Sequence, residues 1–159
     1  WRFYYMRHYF PAAKFVNIVR DGRDVYCSAR LHPNVPQART LPDFARYWKK
    51  CTELPSLILP VDRTFHLRYE DLVHNPSDST AKLMHFLDLP FEPGQVAVDR
   101  YSTVSTLAHK KVHRNLVKPI TASSVGRWRK DLPPEEQRQF HRLAGSALKT
   151  WAYEVSEAA

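Results

Sequence analysis

One stretch constrains the fold of this chain more than any other: Phe15-Val16-Asn17-Ile18-Val19-Arg20-Asp21-Gly22-Arg23-Asp24-Val25-Tyr26-Cys27-Ser28. From Lys14 to Arg20 the run is short, rich in β-branched residues and closed by Asp21-Gly22, the pattern of a buried strand ending in a tight turn. A helix is expected from about Arg23 to His32. The stretch Thr64-Phe65-His66-Leu67-Arg68-Tyr69 predicts a second strand. Strands alternating with helices point to a parallel sheet with crossover helices, although two strands are too few for a whole α/β domain. At 159 residues the length prior is one domain.

The helical segments are marked by period and punctuation. Trp1 to Phe10 is aromatic and predicts the end of an amphipathic helix stopped by Pro11. After a loop from Pro33 to Pro42, a helix is expected to open at about Asp43. Phe44, Tyr47, Trp48, Cys51 and Leu54 recur along it, and Pro55 ends or kinks it. Asn75-Pro76 offers a cap and a first helical proline ahead of Ala81, Leu83, Met84, Phe86 and Leu87. Pro133, Pro134, Glu135 and Glu136 open a last helix with acids where the dipole favours them. Its buried side is expected to be Phe140, Leu143, Ala144, Ala147, Leu148 and Trp151.

Composition excludes several function classes. No run of about 18 apolar residues exists, so no helical membrane span is expected. Cys27 and Cys51 are too few for a disulfide scaffold, and no Cys-x-x-Cys pair suggests zinc. The four glycines are not spaced as a Walker-type phosphate loop. His109 and His113 stand at a helical metal-binding spacing, but Lys110 and Lys111 lie between them with no third ligand, and no metal is expected. Cys27, Trp48, Trp128 and Trp151 read as core or loop anchors, and Glu70-Asp71 as a local cap or pair rather than an acid–base couple. Residue 1 is Trp1, and Trp1 to Pro11 lacks a signal-peptide apolar core, which suggests a piece of something longer.

The charge is segregated. The formal net charge is +8, and residues 100–130 hold eight basic side chains (Arg100, Lys110, Lys111, Arg114, Lys118, Arg127, Arg129 and Lys130) with no acid. Such a run points to an anionic partner. Ser102, Ser105, Thr121, Ser123, Ser124 and Gly126 in the same run suit phosphate or sulfate. Within it only Tyr101 and Trp128 are Phe, Tyr or Trp, which supports base stacking weakly, so specific nucleic-acid binding is not expected. A strand delivering Arg20 at its carboxyl end, followed by a helix start and Ser28, places a guanidinium and a hydroxyl where open α/β sheets bind anions. The same residues are also compatible with a surface Arg–Asp pair and a helix-facing serine.

Arg20 and Ser28, eight apart after a hydrophobic strand, resemble the 3′-phosphate-binding segment of sulfotransferases that use PAPS (3′-phosphoadenosine 5′-phosphosulfate). Two more segments match in order. Arg68-Tyr69-Glu70-Asp71-Leu72 resembles the family's Tyr-Glu-Asp-Leu segment and runs into a helix ending Phe86-Leu87-Asp88-Leu89-Pro90. Ser124-Val125-Gly126-Arg127-Trp128-Arg129 resembles its carboxyl-terminal Gly-x-Trp segment. The likeness runs from about residue 14 to 154. The Arg20-Asp21-Gly22-Arg23 turn and Lys118-Pro119 look closest to tyrosylprotein sulfotransferases and their bacterial relatives.

The resemblance implies an α/β fold, a partial P-loop-type three-layer parallel sheet with flanking helices, without its amino-terminal strand and phosphosulfate loop. Residues 1–159 would form a single partial domain, the 3′-phosphoadenosine-binding half. Arg20 and Ser28 would hold the 3′-phosphate, Tyr69 would contact adenine, and Lys118 and Arg127 would lie near the nucleotide phosphates. The Arg-Lys-Gly run of cytosolic members is replaced by Thr121, Ala122 and Ser123, with Ser123, Ser124 and Lys118 as candidate substitutes. The catalytic base is unassigned, since His8 lies too close to the strand to match the family's upstream base.

The implied partners are PAPS and an acceptor hydroxyl or amine on a peptide tyrosine, sugar, lipid or small molecule. The implied compartment is the cytoplasm, or the Golgi lumen for a eukaryotic tyrosylprotein-type relative. The isolated chain is expected not to turn over. Two alternatives stand beside this: a non-catalytic module binding nucleotides or polyanions, and a relative of P-loop kinases, the latter disfavoured because nothing resembles a Walker lysine loop.

Overall fold

The computed structural model describes residues 2–97 and 120–155. Its elements are α1 (Arg2–Tyr9), β1 (Phe15–Val19), α2 (Gly22–Ala29), α3 (Leu41–Ile58), β2 (Thr64–Arg68), α4 (Tyr69–His74), α5 (Pro76–Leu87), α6 (Trp128–Asp131) and α7 (Pro134–Thr150). Two compact units emerge: Trp1–Arg68 with Ser123–Ala159, and Tyr69–Ala122.

In the first unit β1 and β2 pair in parallel, with Phe15 opposite Thr64 and Val19 opposite Arg68. A parallel pair requires a long crossover, and α2 and α3 supply it. The parallel pairing and both strands are as expected from the sequence, each shorter by a residue or two at its ends. β1 is not the buried strand that its run predicts, however: Phe15 and Val19 are buried, whereas Val16 and Ile18 are 40% and 55% exposed.

The core is built by two helical stripes facing each other. On α3 the residues Leu41, Phe44, Ala45, Trp48, Thr52 and Pro55 are buried, a spacing that keeps one face of a 3.6-residue helix inward. On α7 the same holds for Phe140, Ala144, Ala147 and Leu148, and α3 packs against α7. The small Ala144 and Ala147 let the helices approach, and the rings of Trp48 and Phe140 meet at 5.9 Å. Burying side chains such as Phe140 and Leu148 contributes roughly 1.5–3 kcal/mol each.

Several boundaries differ from expectation. The α3 helix opens earlier than Asp43, because Thr40 caps it. Its hydroxyl accepts from the Asp43 amide at 3.3 Å and donates to the Asp43 carboxylate at 2.7 Å. Pro55 does not end the helix. It sits in the last turn, where only one ladder bond is forfeited, and the Leu59 amide still reaches the Pro55 carbonyl at 2.9 Å. The helix α1 is not amphipathic: Tyr4, Tyr5, Met6, Tyr9 and Phe10 are all exposed.

In the second unit, α4 begins at Tyr69, so this residue starts a helix rather than ending a strand. Pro76 is the first residue of α5 as expected, but the Asn75 side chain makes no capping bond. The helix ends on Asp88 in the left-handed region, at φ 58°.

Gly22 is where β1, α2, α3 and α7 converge. A Cβ there would lie 2.5 Å from the Trp48 ring and 2.8 Å from the Phe140 ring. Both rings are buried and have no room to withdraw. Gly22→Ala is therefore expected to destabilise the chain by about 1–3 kcal/mol or more, read as a lowered urea midpoint.

Candidate functional site

The site is built around the turn between β1 and α2, where charges alternate along the chain: Arg20, Asp21, Arg23, Asp24. Asp21 caps α2. One carboxylate oxygen accepts from the Arg23 amide and from its Nε, both at 2.9 Å, and the other from its Nη2 at 2.6 Å. A helix start was expected here to favour a bound anion. In the structure the Asp21 carboxylate, directly before α2, accepts from the Arg23 amide, so one donor of this helix start is taken by the chain itself.

Arg23 is 1% exposed, a degree of burial that a guanidinium tolerates only when its donors are satisfied. Besides Asp21, its Nη1 donates to His141 Nε2 at 2.7 Å and to the Glu154 carbonyl at 2.9 Å. Its face stacks on the Trp128 ring, 3.7 Å from the centroid. Its ion pair with Asp21 is buried rather than at the surface.

Asp24 is fully buried and faces a different segment. Its two oxygens accept from the backbone amides of Gly126 at 2.7 Å and Trp128 at 3.0 Å, residues more than a hundred positions away. Gly126 sits at φ +72°, a conformation open to glycine at little cost, and this turn aims both amides at one carboxylate. Burial raises the Asp24 carboxyl above its ordinary value, while the two amide bonds oppose the rise.

The residues expected to bind nucleotide fall into three groups. Arg20 and Ser28 belong to the same turn: Arg20 directly follows β1, and Ser28 is half-buried on α2, one turn after Asp24. The Arg20 guanidinium donates through Nη2 to the Ser124 carbonyl at 2.8 Å, and its own carbonyl accepts from Trp48 Nε1 at 3.0 Å. Arg127 follows in the same loop, but its guanidinium forms a fork with Asp131 through Nε and Nη2, both at 2.6 Å. Tyr69 opens α4 in the second unit and is half-buried. Lys118 lies outside the described residues, as do His109, His113 and the basic run from 100 to 119.

The charge segregation is weaker than the sequence implies. Besides the Arg127–Asp131 pair, Arg129 pairs with Glu154 and covers Trp128 at 4.6 Å. Two of the eight cations in the run are thus matched by acids further along the chain.

Three residues at the site carry no motif signal of their own. Asp24 is one, and its position one helical turn before Ser28 is the only local hint. Arg68 is another. It ends β2, its guanidinium lies 4.7 Å from the Tyr153 ring centroid, and its Nε is buried with no hydrogen-bond partner among the described residues. Tyr153 in turn donates its hydroxyl to the Val19 carbonyl at 3.2 Å, closing the carboxyl end of β1. Cys27 is buried, and burial pushes its thiol up to about 11, as befits a small core residue rather than a nucleophile; Cys51 is exposed on α3. Among the described residues, no group of three or more His, Cys, Asp or Glu side chains is arranged to hold a metal ion, and no helix is long and apolar enough to cross a membrane.

Residues 1–93, more than half the chain, match the sulfotransferase family. The chain belongs to the sulfotransferase family. Arg20, Ser28 and Tyr69 all fall within the matched residues. Two curated relatives extend the likeness. Protein-tyrosine sulfotransferase 1 of Danio rerio is 24% identical over 154 residues, covering 88% of this chain and 42% of the relative. Protein-tyrosine sulfotransferase of Drosophila melanogaster is 24% identical over 155 residues, covering 88% of this chain and 30% of the relative. This sulfotransferase chain therefore spans less than half the length of either relative.

His141 gives the site a pH signature. Burial first, and then the Arg23 cation, hold its imidazole below the ordinary 6.5. The folded chain thus favours neutral His141, whose Nε2 accepts from Arg23. The associated stability is fully present above pH 6.5 and is lost as pH falls through the lowered folded value. The urea midpoint is expected to fall between about pH 7 and about pH 5, and to fall less in His141→Gln, whose carbonyl still accepts from Arg23.

Proposed function

We propose that this chain forms the 3′-phosphoadenosine-binding half of a sulfotransferase that moves a sulfuryl group from PAPS to an acceptor hydroxyl or amine. The observation that carries the reading is the turn after β1. Arg20 stands at the carboxyl end of a parallel strand, held by the Ser124 carbonyl, with Ser28 on the helix that follows. This is the part of an α/β sheet where ligands bind.

The donor types suit a dianionic phosphate: a guanidinium and a half-buried hydroxyl. With the helix start capped by Asp21, the positive charge for that phosphate comes from Arg20. Tyr69 would contact adenine, and Lys118 the nucleotide phosphates. Arg127 would reach them only by leaving Asp131. The domain assignment, one partial domain over residues 1–159 with a three-layer P-loop-type sheet, belongs to the same proposal.

When bound, the donor supplies an activated sulfuryl group: its bond to the bridging phosphate oxygen breaks, a bond to the acceptor forms, and the acceptor proton passes to a base. The chain's own residues contribute binding and orientation. Arg20 and Ser28 fix the far end of the nucleotide, so that binding energy gained there aligns the reacting end. No base is assigned, and the 159-residue chain is expected to bind nucleotide without transferring sulfate.

Both relatives are named for protein tyrosine, which puts a peptide phenol first among the acceptors considered; a sugar, lipid or small molecule stands behind it. Both are animal proteins, whereas the cytoplasmic expectation rested on bacterial relatives.

Calorimetry on the 159-residue chain tests the reading. Adenosine 3′,5′-bisphosphate is expected to bind more tightly than adenosine 5′-monophosphate. Arg20→Ala should weaken the bisphosphate by about 10-fold or more, and Ser28→Ala by a few-fold (roughly 1 kcal/mol), with little effect on the monophosphate. Affinity that follows salt and total charge without preference for the 3′-phosphate would instead favour the polyanion-binding module. Transfer of labelled sulfate by this chain alone would overturn its expected inactivity.

A further inference from the structure

We propose that Asp24 is a positioning residue for the nucleotide site. It straps the segment from Ser123 to Trp128 onto α2 and thereby holds Arg20 in place for the 3′-phosphate. The inference rests on the nucleotide reading given above and adds a residue that touches no ligand.

The argument follows the contacts. Asp24 accepts from the amides of Gly126 and Trp128, one on each carboxylate oxygen. Two residues before Gly126, the carbonyl of Ser124 accepts from the Arg20 guanidinium at 2.8 Å. Four residues after Asp24, on the same face of the same helix, comes Ser28. One buried carboxylate thus connects the helix that carries the hydroxyl with the loop that holds the guanidinium.

The rest of the local structure reinforces that connection. Arg23 stacks on the Trp128 ring and is itself held by Asp21, so Trp128 is fixed by its ring as well as its amide. A completely buried carboxylate is a costly way to join two segments, since an apolar contact of similar volume stabilises a fold as well or better. What a carboxylate adds is direction: it accepts two amides in fixed geometry and sets the loop's path to within a hydrogen-bond length.

Asp24→Asn removes that direction while keeping the volume. The side-chain carbonyl can accept from one amide, but its NH2 then faces the other N–H donor. The loop should detach at Gly126 or at Trp128. Gly126→Ala attacks the same strap from the loop side. Its Cβ meets only the end of the flexible Arg129 side chain, so its effect comes through the positive φ that glycine alone adopts freely. Leu148→Val is the control, a small loss from the buried core on α7.

The experiment measures, for each variant, the affinity for adenosine 3′,5′-bisphosphate and for adenosine 5′-monophosphate by calorimetry. It also measures the urea midpoint and the hydrogen exchange of the Gly126 and Trp128 amides. Asp24→Asn and Gly126→Ala are expected to weaken the bisphosphate by about 10-fold and the monophosphate little, with faster amide exchange that bound bisphosphate slows again. Leu148→Val should lower the urea midpoint and leave the preference between nucleotides unchanged.

If both strap variants keep the wild-type preference while their amides exchange faster, the strap is structural only and the role of Asp24 is overturned. If wild-type chain shows no preference for the bisphosphate, the nucleotide reading fails and the role of Asp24 fails with it. The Gly126 variant decides the question should Asp24→Asn not fold.

Discussion

The structure depends on a single buried exchange of charge at the turn after the first strand. Asp21, Arg23 and Asp24 are 5%, 1% and 0% exposed, and three ionised side chains so placed would unfold a small domain if left unsatisfied. They are not. Asp21 and Arg23 share a two-pronged bond, Arg23 spends its other donors on His141 and the Glu154 carbonyl, and Asp24 takes two backbone amides. Every one of these partners beyond Asp21 comes from the last third of the chain. The turn is thus, beside the packing of α3 on α7, a place at which the two chain segments of the first unit are joined.

That arrangement explains why the close packing around it has so little tolerance. Gly22 lies between the capping acid and the stacked arginine, against Trp48 and Phe140. Trp48 in turn bonds the Arg20 carbonyl, and Tyr153 bonds the Val19 carbonyl. The carboxyl end of β1 therefore has its outgoing backbone groups tied to aromatic side chains from α3 and from the chain's end, and Arg20 projects from a fixed base. Rigid support of this kind is what the phosphate-binding role proposed for Arg20 requires.

Local features were legible in the sequence and non-local ones were not. The last helix could be read almost residue by residue, because Pro134, Glu135 and Glu136 mark its start and Phe140, Ala144, Ala147 and Leu148 repeat at helical spacing. The parallel strands were legible too, β1 from its β-branched run and β2 from the short Thr64–Arg68 stretch. Errors arose where two local signals compete. Thr40 and Asp43 both suit a cap, and Pro55 signals a stop that the last turn of a helix absorbs. Tyr69 has strand-like neighbours on one side and Glu70-Asp71, good first-turn residues, on the other. The Arg127–Asp131 pair, at i and i+4, was within reach of sequence reasoning. Asp24 was not, since a carboxylate's partners a hundred residues away leave no trace in spacing. Family resemblance singled out Arg20 and Ser28 as candidates but said nothing of the buried acid between them.

The two cysteines differ in a way that makes the chain convenient to follow in solution. Cys27 is buried in the core with its thiol pushed up to about 11, so almost none of it is thiolate near neutral pH. Cys51 is exposed on α3, one turn beyond Trp48. A maleimide dye or spin label would enter at one place without any engineered substitution, on a helix whose inner face holds the base of Arg20. Reaction at Cys27 would then report the opening of the core itself.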